Sequence, residues 1–269
     1  MNPSVTPAIA PLPYIMVAPT GARRTRKDHP GLPITIDEIT RTAQDCWAQG
    51  ATGIHVHVRD ENEKHVLDNR LYEEAIAAIS SALPDMYIQV TTEAVGQYSP
   101  AEQRQLIHDL KPSSVSISLA ELYSDNDMQL NREFLSWCLE ASIGVQFILY
   151  SPEDLNRFES LIDTGDIQGD TYADGVQLIY VLGRYTKNQQ SHPEDLNPLT
   201  DWLEQTGINA DWAVCAFGQS ETDCLVEARR RGGKLRVGFE NSLWHRDGQL
   251  ANNNAERVAE VVSMIKSFA

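Results

Sequence analysis

Basic residues are scarce: 22 Lys and Arg face 38 Asp and Glu among 269 residues, giving a formal net charge of −16. Nonspecific nucleic-acid binding depends on clustered cations meeting phosphates, so the composition argues against that role. No apolar run approaches the roughly 18 residues that a bilayer span requires. The opening MNPSVTPAIAPLP lacks the basic and apolar regions of a secretory signal. The expectation is a cytoplasmic protein with neither a membrane nor a nucleic acid as partner. Four cysteines, Cys46, Cys138, Cys215 and Cys224, show no C-x-x-C spacing, which fits neither a zinc knuckle nor a disulfide framework. Cys46, Cys138 and Cys224 fall in helical stretches and read as packing residues. Cys215 lies near a strand end, where it is either an inert small apolar residue or a group facing a site. A G-x-G-x-x-G fingerprint is absent from the first loop, so nothing asks for a dinucleotide fold.

What the chain does have is alternation. Short β-rich runs at 14–19, 52–58, 86–92, 113–119, 144–150, 175–181, 210–216 and 234–239 are separated by amphipathic stretches. The helical stretches fall at about 35–49, 68–82, 99–109, 130–142, 152–163, 195–206, 219–231 and 252–267. Thr35-Ile36-Asp37-Glu38 and Ser99-Pro100-Ala101-Glu102 carry the cap and nearby acid that suit a first helical turn. Eight β/α units predict a closed (β/α)8 TIM barrel over 14–269 as a single domain, with 1–13 as an N-terminal extension. Active sites of such barrels lie at the carboxyl ends of the strands.

In GIHVHVRD, His55 and His57 are two apart on a predicted strand, so both face one side while Ile54, Val56 and Val58 face the other. Two imidazoles side by side inside a barrel are either hydrogen-bonded core residues or metal ligands. Catalytic zinc commonly takes three protein ligands, with a carboxylate as a frequent third. Glu240, just past the apolar run of LRVGFEN, is the candidate, and an exposed loop acid is the alternative. An H-x-H strand also suits amidohydrolase-type hydrolases. Those add histidines from later strands, and none of His29, His65, His108, His192 and His245 stands at the end of the fifth or sixth.

Several segments together resemble the β-keto acid cleavage enzymes, the family that includes 3-keto-5-aminohexanoate cleavage enzyme. They are APTGARRTRKDHPGLPIT, GATGIHVHVRD, IQVTTEAVG, DWAVCAFG and LRVGFENSLW, in order from about residue 14 to 266. The resemblance implies a zinc-bearing barrel that takes a β-keto acid and acetyl-CoA and yields acetoacetate and a new acyl-CoA. It puts the metal ligands on His55, His57 and Glu240 and a functional arginine on Arg236. It puts substrate-holding hydroxyls on Thr91 and on Ser116 or Ser118, and it implies a homo-oligomer, a dimer or tetramer.

The sequence also departs from the family pattern. Asn241 stands where an aspartate base follows the ligand glutamate, and an amide cannot accept that proton. Glu93 replaces a glycine and is a candidate substitute base or a hydrogen-bonded loop residue. Gln146 and Ile148 fall at about the places of fifth-strand glutamates. Arg23 replaces a glutamate that reads a substrate amino group, so the resemblance implies an anionic or neutral tail. Arg24, Arg26 and Lys27 then become candidates for coenzyme A phosphates, or form a solvated basic loop. The departures leave open a metal-dependent hydrolase or aldol-type lyase without coenzyme A, or a catalytically silent metabolite-binding barrel.

Overall fold

The computed structural model describes residues 9–168 and 175–266. Residues 1–8 of the expected extension, and position 267 of the last expected helix, lie outside the described residues. The first half of the chain comprises β1 (Ile15–Val17), α1 (Ile36–Ala48), β2 (Gly53–Val56), β3 (Val58–Arg59), β4 (His65–Val66), α2 (Asn69–Ala82), β5 (Tyr87–Thr91) and α3 (Pro100–Leu110). There follow β6 (Ser114–Ser118), α4 (Leu119–Leu122), α5 (Met128–Glu140), β7 (Gly144–Leu149), α6 (Pro152–Asp163) and β8 (Val176–Leu182). The rest are α7 (Asn197–Thr206), β9 (Ala210–Ala216), α8 (Glu221–Arg230), β10 (Lys234–Val237) and α9 (Asn254–Lys266). Strands β1, β2, β5, β6, β7, β8, β9 and β10 pair in parallel, in that order, and β10 returns to β1 to close the barrel. Two expected helix starts carry full reciprocal caps, Thr35 with Glu38 and Ser99 with Glu102.

The differences from the sequence reading have local causes. The second expected strand does not run through to 58: β2 ends at Val56, and Val58–Arg59 pairs antiparallel with His65–Val66 instead. Asp60 closes that hairpin, accepting from the backbone N–H groups of Asn62 at 2.9 Å and Lys64 at 2.8 Å. Similarly, the sixth expected helical stretch, 195–206, opens as a 3-10 turn over Pro193–Leu196 before α7. The eighth barrel strand stops at Val237 because Gly238 adopts φ +143°, where an added Cβ would lie 2.5 Å from the carbonyl oxygen of Ala18.

Period-two alternation sorts the strand residues. Val17, Ile54, Val56, Val90, Val115 and Phe147 join the main apolar core with the helices. The interior is divided. Ile148, Ile179, Val181, Ala213, Cys215 and Phe217 form an apolar half with Leu12, whereas Gln89, Ser114, Ser116 and Gln146 on the neighbouring strands β5, β6 and β7, and Arg236 on β10, are buried polar groups. All four cysteines are buried and free. Burial pushes the Cys215 thiol up to about 11, against the pull of Arg236, as suits a packing residue. No helix among the described residues is long and apolar enough to cross a membrane.

Residues 9–13 close the amino-terminal end of the barrel. The Leu12 N–H donates to Asp211 Oδ2 at 2.7 Å, Asp211 also pairs with Lys234 at 2.6 Å, and the Ala10 carbonyl accepts from Gln177 at 2.8 Å. Removing a buried leucine side chain costs about 2–5 kcal/mol. Leu12→Ala should therefore lower the urea-unfolding free energy by about 2–3 kcal/mol, although Leu12 precedes the first barrel strand. An unchanged midpoint would mean that this segment is not docked.

Candidate metal centre and cleft

The hydrogen bonds around His55 and His57 determine which ring nitrogens are bare. Gln146 Nε2 donates to the Leu178 carbonyl at 3.1 Å, which leaves Gln146 Oε1 to accept from Gln89 Nε2 at 3.0 Å. Gln89 Oε1 then accepts from His55 Nδ1 at 2.9 Å. On the other side, His65 Nε2 donates to the Glu93 carbonyl at 2.9 Å, so the Nδ1 of neutral His65 accepts from His57 Nδ1 at 3.4 Å. Both relays end on a backbone carbonyl, which can only accept. In their neutral forms, His55 and His57 therefore present bare Nε2 atoms, and these face each other at 3.2 Å.

The carboxylate of Glu240 completes the group. Its Oε2 is 3.4 Å from His57 Nε2 and 3.8 Å from His55 Nε2, and it meets no hydrogen-bond donor among the described residues. Candidate ligand atoms from the three residues lie within 4.8 Å of one another. Two lone pairs and a carboxylate oxygen converging in a buried space repel unless a cation lies among them. Neutral imidazoles with a carboxylate suit a divalent metal of zinc's type, so the donor set fits the expected ligands. Burial works against the charge of Glu240, but Arg236 above all holds its carboxyl well below the usual range. Burial, then Arg236, holds the His55 imidazolium well below its ordinary range. Burial brings His65 down to about 3.

The other expected site residues divide into two groups. Arg236 is buried and donates to Glu240 Oε1 at 3.3 Å and to Cys215 Sγ at 3.3 Å. Arg23, Thr91 and Glu93 line a cleft of about 600 Å³, part of it open to solvent, together with His55, Arg236 and Glu240. Thr91 Oγ1 accepts from the Glu93 N–H at 3.0 Å. The Glu93 carboxylate accepts from Arg184 at 3.2 Å. By contrast, Ser116, Ser118 and Asn241 are not among the residues that line this cleft. Ser118 caps α4 by accepting from the Glu121 N–H at 3.3 Å. The Ser116 hydroxyl and the Asn241 side-chain amide are buried and unpaired among the described residues. In the basic loop, Arg26 is turned away and held by Glu38 and Glu63, and Lys27 is exposed.

Four residues that contact the candidate ligands or line the cleft are not singled out by the sequence reading. His65 stood among the leftover histidines, and its role depends on the hairpin that folds it back. Gln89 shares a strand face with Thr91, a period-two signal that was available. Arg184, 5.1 Å from the centroid of the Phe217 ring, and Tyr150 line the cleft from loops that carry no motif. Behind the β10 loop, Glu221 and Arg257 form a fully buried pair at 2.7 Å, and Glu221 also accepts from the Gly238 N–H at 3.2 Å.

A model of the beta-keto acid cleavage enzyme family matches residues 13–269. The chain is 25% identical to the 3-keto-5-aminohexanoate cleavage enzyme of Acetoanaerobium sticklandii over 260 residues, covering 94% of this chain and 92% of that protein. It is 24% identical to the 3-oxoadipate:acetyl-CoA acetyltransferase of Cupriavidus necator, covering 94% and 88%. Among solved structures, apo ObcA superposes with a TM-score of 0.67 at 15% identity, which supports the fold. That superposition covers 89% of this chain and 62% of ObcA, so the chain spans about three fifths of that protein's length.

The depressed histidines make acid sensitivity predictable. Above pH 6.5 the neutral imidazoles of folded and unfolded chain match. As pH falls toward 3, the unfolded chain takes up a proton that folded His65 refuses, at about 1.4 kcal/mol per pH unit. Glu221, pushed up to about 7 by burial against the pull of Arg257, acts in the opposite sense above pH 4.5. The informative quantity is therefore a difference: between pH 6.5 and 5, the metal-free wild type should lose more stability than His65→Gln. Parallel stability curves would show that His65 is not held neutral.

Proposed function

Because the chain belongs to the β-keto acid cleavage enzyme family, we propose that it is a zinc-dependent enzyme that condenses a β-keto acid with acetyl-CoA and releases acetoacetate and a new acyl-CoA. The observation that carries the metal part of this reading is the convergence of two bare imidazole nitrogens and the Glu240 carboxylate. Support for acetyl-CoA comes from the names of relatives such as the 3-oxoadipate:acetyl-CoA acetyltransferase. A metal bound by His55, His57 and Glu240 supplies Lewis acidity, which stabilises the negative charge that develops when the carbon between the two carbonyls loses its proton.

The chain's own residues account for the rest. Arg236, fixed 3.3 Å from Glu240, keeps that carboxylate ionised and adds positive charge beside the developing anion. Glu93 is the candidate base, since it lines the cleft and Asn241 cannot take a proton. The carbanion attacks the acetyl carbonyl carbon and expels the coenzyme A thiolate. That thiolate then attacks the original keto carbon and breaks its bond to the former carbanion carbon, giving the new thioester. Acetoacetate leaves as a carbanion and regains the proton that the base holds. Thr91 borders the same cleft as a hydroxyl for the substrate's oxygens. The apolar wall of Ile148, Val181 and Phe217 limits water access.

Incubation of the zinc-loaded protein with acetyl-CoA and a panel of β-keto acids should yield acetoacetate and the matching acyl-CoA by mass spectrometry. Glu93→Gln should lower kcat by about a hundredfold or more, the usual contribution of a general base. Cleavage without acetyl-CoA would favour the simple lyase or hydrolase. No turnover of any substrate would favour the silent binding barrel.

Arg23 governs the choice of substrate in this reading, because its exposed guanidinium lines the cleft. A charge-assisted hydrogen bond there is worth about 1.5–3 kcal/mol, a ten- to hundredfold preference for anionic over cationic tails. Arg23→Glu should shift the kcat/KM ranking of a charge-varied panel toward cationic tails and leave metal content unchanged. An identical ranking in both proteins would make Arg23 a surface residue.

A further inference from the structure

Arg24 sits one residue beyond Arg23, in a loop whose charges look suited to phosphate, yet its terminal nitrogens are already committed. One donates to the Phe239 carbonyl, and the other donates to the Asn241 carbonyl at 3.2 Å. These two carbonyls flank Glu240. The same short loop is held from other directions as well. The Gly238 N–H donates to Glu221, the Phe239 N–H donates to Asn254 at 2.8 Å, and the Glu240 N–H donates to the Ala18 carbonyl at 3.0 Å.

Arg24 has its own anchor. The buried Arg59 of β3 donates to the carbonyls of Gly21 and Arg24, the latter at 3.1 Å, and to the Glu63 carbonyl at 2.8 Å. Gly21, at φ +65°, approaches so closely that an added Cβ would lie 2.7 Å from Glu240 Cγ. The loop after β1 is thus fixed by Arg59 and in turn fixes the loop after β10 through Arg24. A lysine in place of Arg24 could not reproduce this arrangement, because an ammonium lacks the planar fork that reaches two carbonyls at once.

We propose that Arg24 is a positioning residue that sets the location of the Glu240 carboxylate by gripping the carbonyls on either side of it, and that it is not a phosphate-binding residue. The proposal rests on the reading of His55, His57 and Glu240 as metal ligands. Residues that orient a metal ligand typically change metal affinity by about ten- to a hundredfold when replaced. Zinc affinity is measured by competition with a chromophoric chelator in wild type, Arg24→Met, Arg24→Lys and Lys27→Met. Hydrogen exchange at Phe239, Glu240 and Asn241 is measured in the metal-free proteins.

The expected result is a dissociation constant raised about ten- to a hundredfold in Arg24→Met and less in Arg24→Lys, with Lys27→Met unchanged. Exchange at the three amides should quicken in Arg24→Met while the strand amides of β7 and β8 stay protected. Arg24→Lys serves should Arg24→Met fail to fold. Wild-type affinity and wild-type exchange in the Arg24 variants would overturn the proposal. A wild type that binds no zinc would remove the metal-ligand reading, and unchanged loop exchange would then separately remove the grip.

Discussion

Two bare imidazole nitrogens facing each other at 3.2 Å are the constraint around which this barrel is arranged. Either nitrogen could be relieved by moving a proton, but each ring's hydrogen is committed at Nδ1. One relay runs through Gln89 and Gln146 to Leu178, and the other runs through His65 to Glu93. Those relays cross four barrel strands and a hairpin, so the tautomers are a property of the fold and not of the two residues alone. The glutamines on β5 and β7 are thereby explained as supports for His55. A buried polar network of this kind stabilises only when every member has a partner, and the open valence it leaves is at the candidate metal centre.

The carboxylate side of the centre has a different construction. Glu240 lies beyond its strand, on a loop that Gly238 turns sharply and that side chains from the β1, α8 and α9 regions hold by backbone atoms. Catalytic metal sites need ligand positions fixed to a fraction of an ångström, and loops achieve that only with such supports. The buried Glu221–Arg257 pair is costly to desolvate, and its position directly behind Gly238 gives that cost a purpose. Charge follows the same logic. A protein with a net charge of −16 concentrates Arg23, Arg24, Arg184 and Arg236 around one cleft, where Glu93 and Glu240 are the lining carboxylates. A cleft of that sign focuses the field toward anions such as keto acids and thioester phosphates.

The barrel was legible because each strand and most helices carry their own local signal. Period-two alternation fixed the shared face of His55 and His57, and the Thr35 and Ser99 caps marked their helices. Position at a strand end singled out Glu240. What was not legible depends on distant pairing. Glu93 and Arg184 are 91 positions apart, and His65 reaches His57 only because Asp60 closes a hairpin of which just the first residue, Val58, lies in an expected strand. Ser118 shows the limit of alternation: it has the expected strand position, but its hydroxyl is used as a helix cap. Adjacent arginines defeat composition altogether, since Arg23, Arg24 and Arg26 differ only in where the loop turns each guanidinium.

Anomalous X-ray diffraction at the zinc edge, on crystals of the zinc-loaded protein, tests the central claim most directly. The account predicts one strong peak per chain, about 2.0–2.2 Å from His55 Nε2, His57 Nε2 and an oxygen of Glu240. A peak elsewhere, or none with the two imidazole nitrogens still in direct contact, would contradict it.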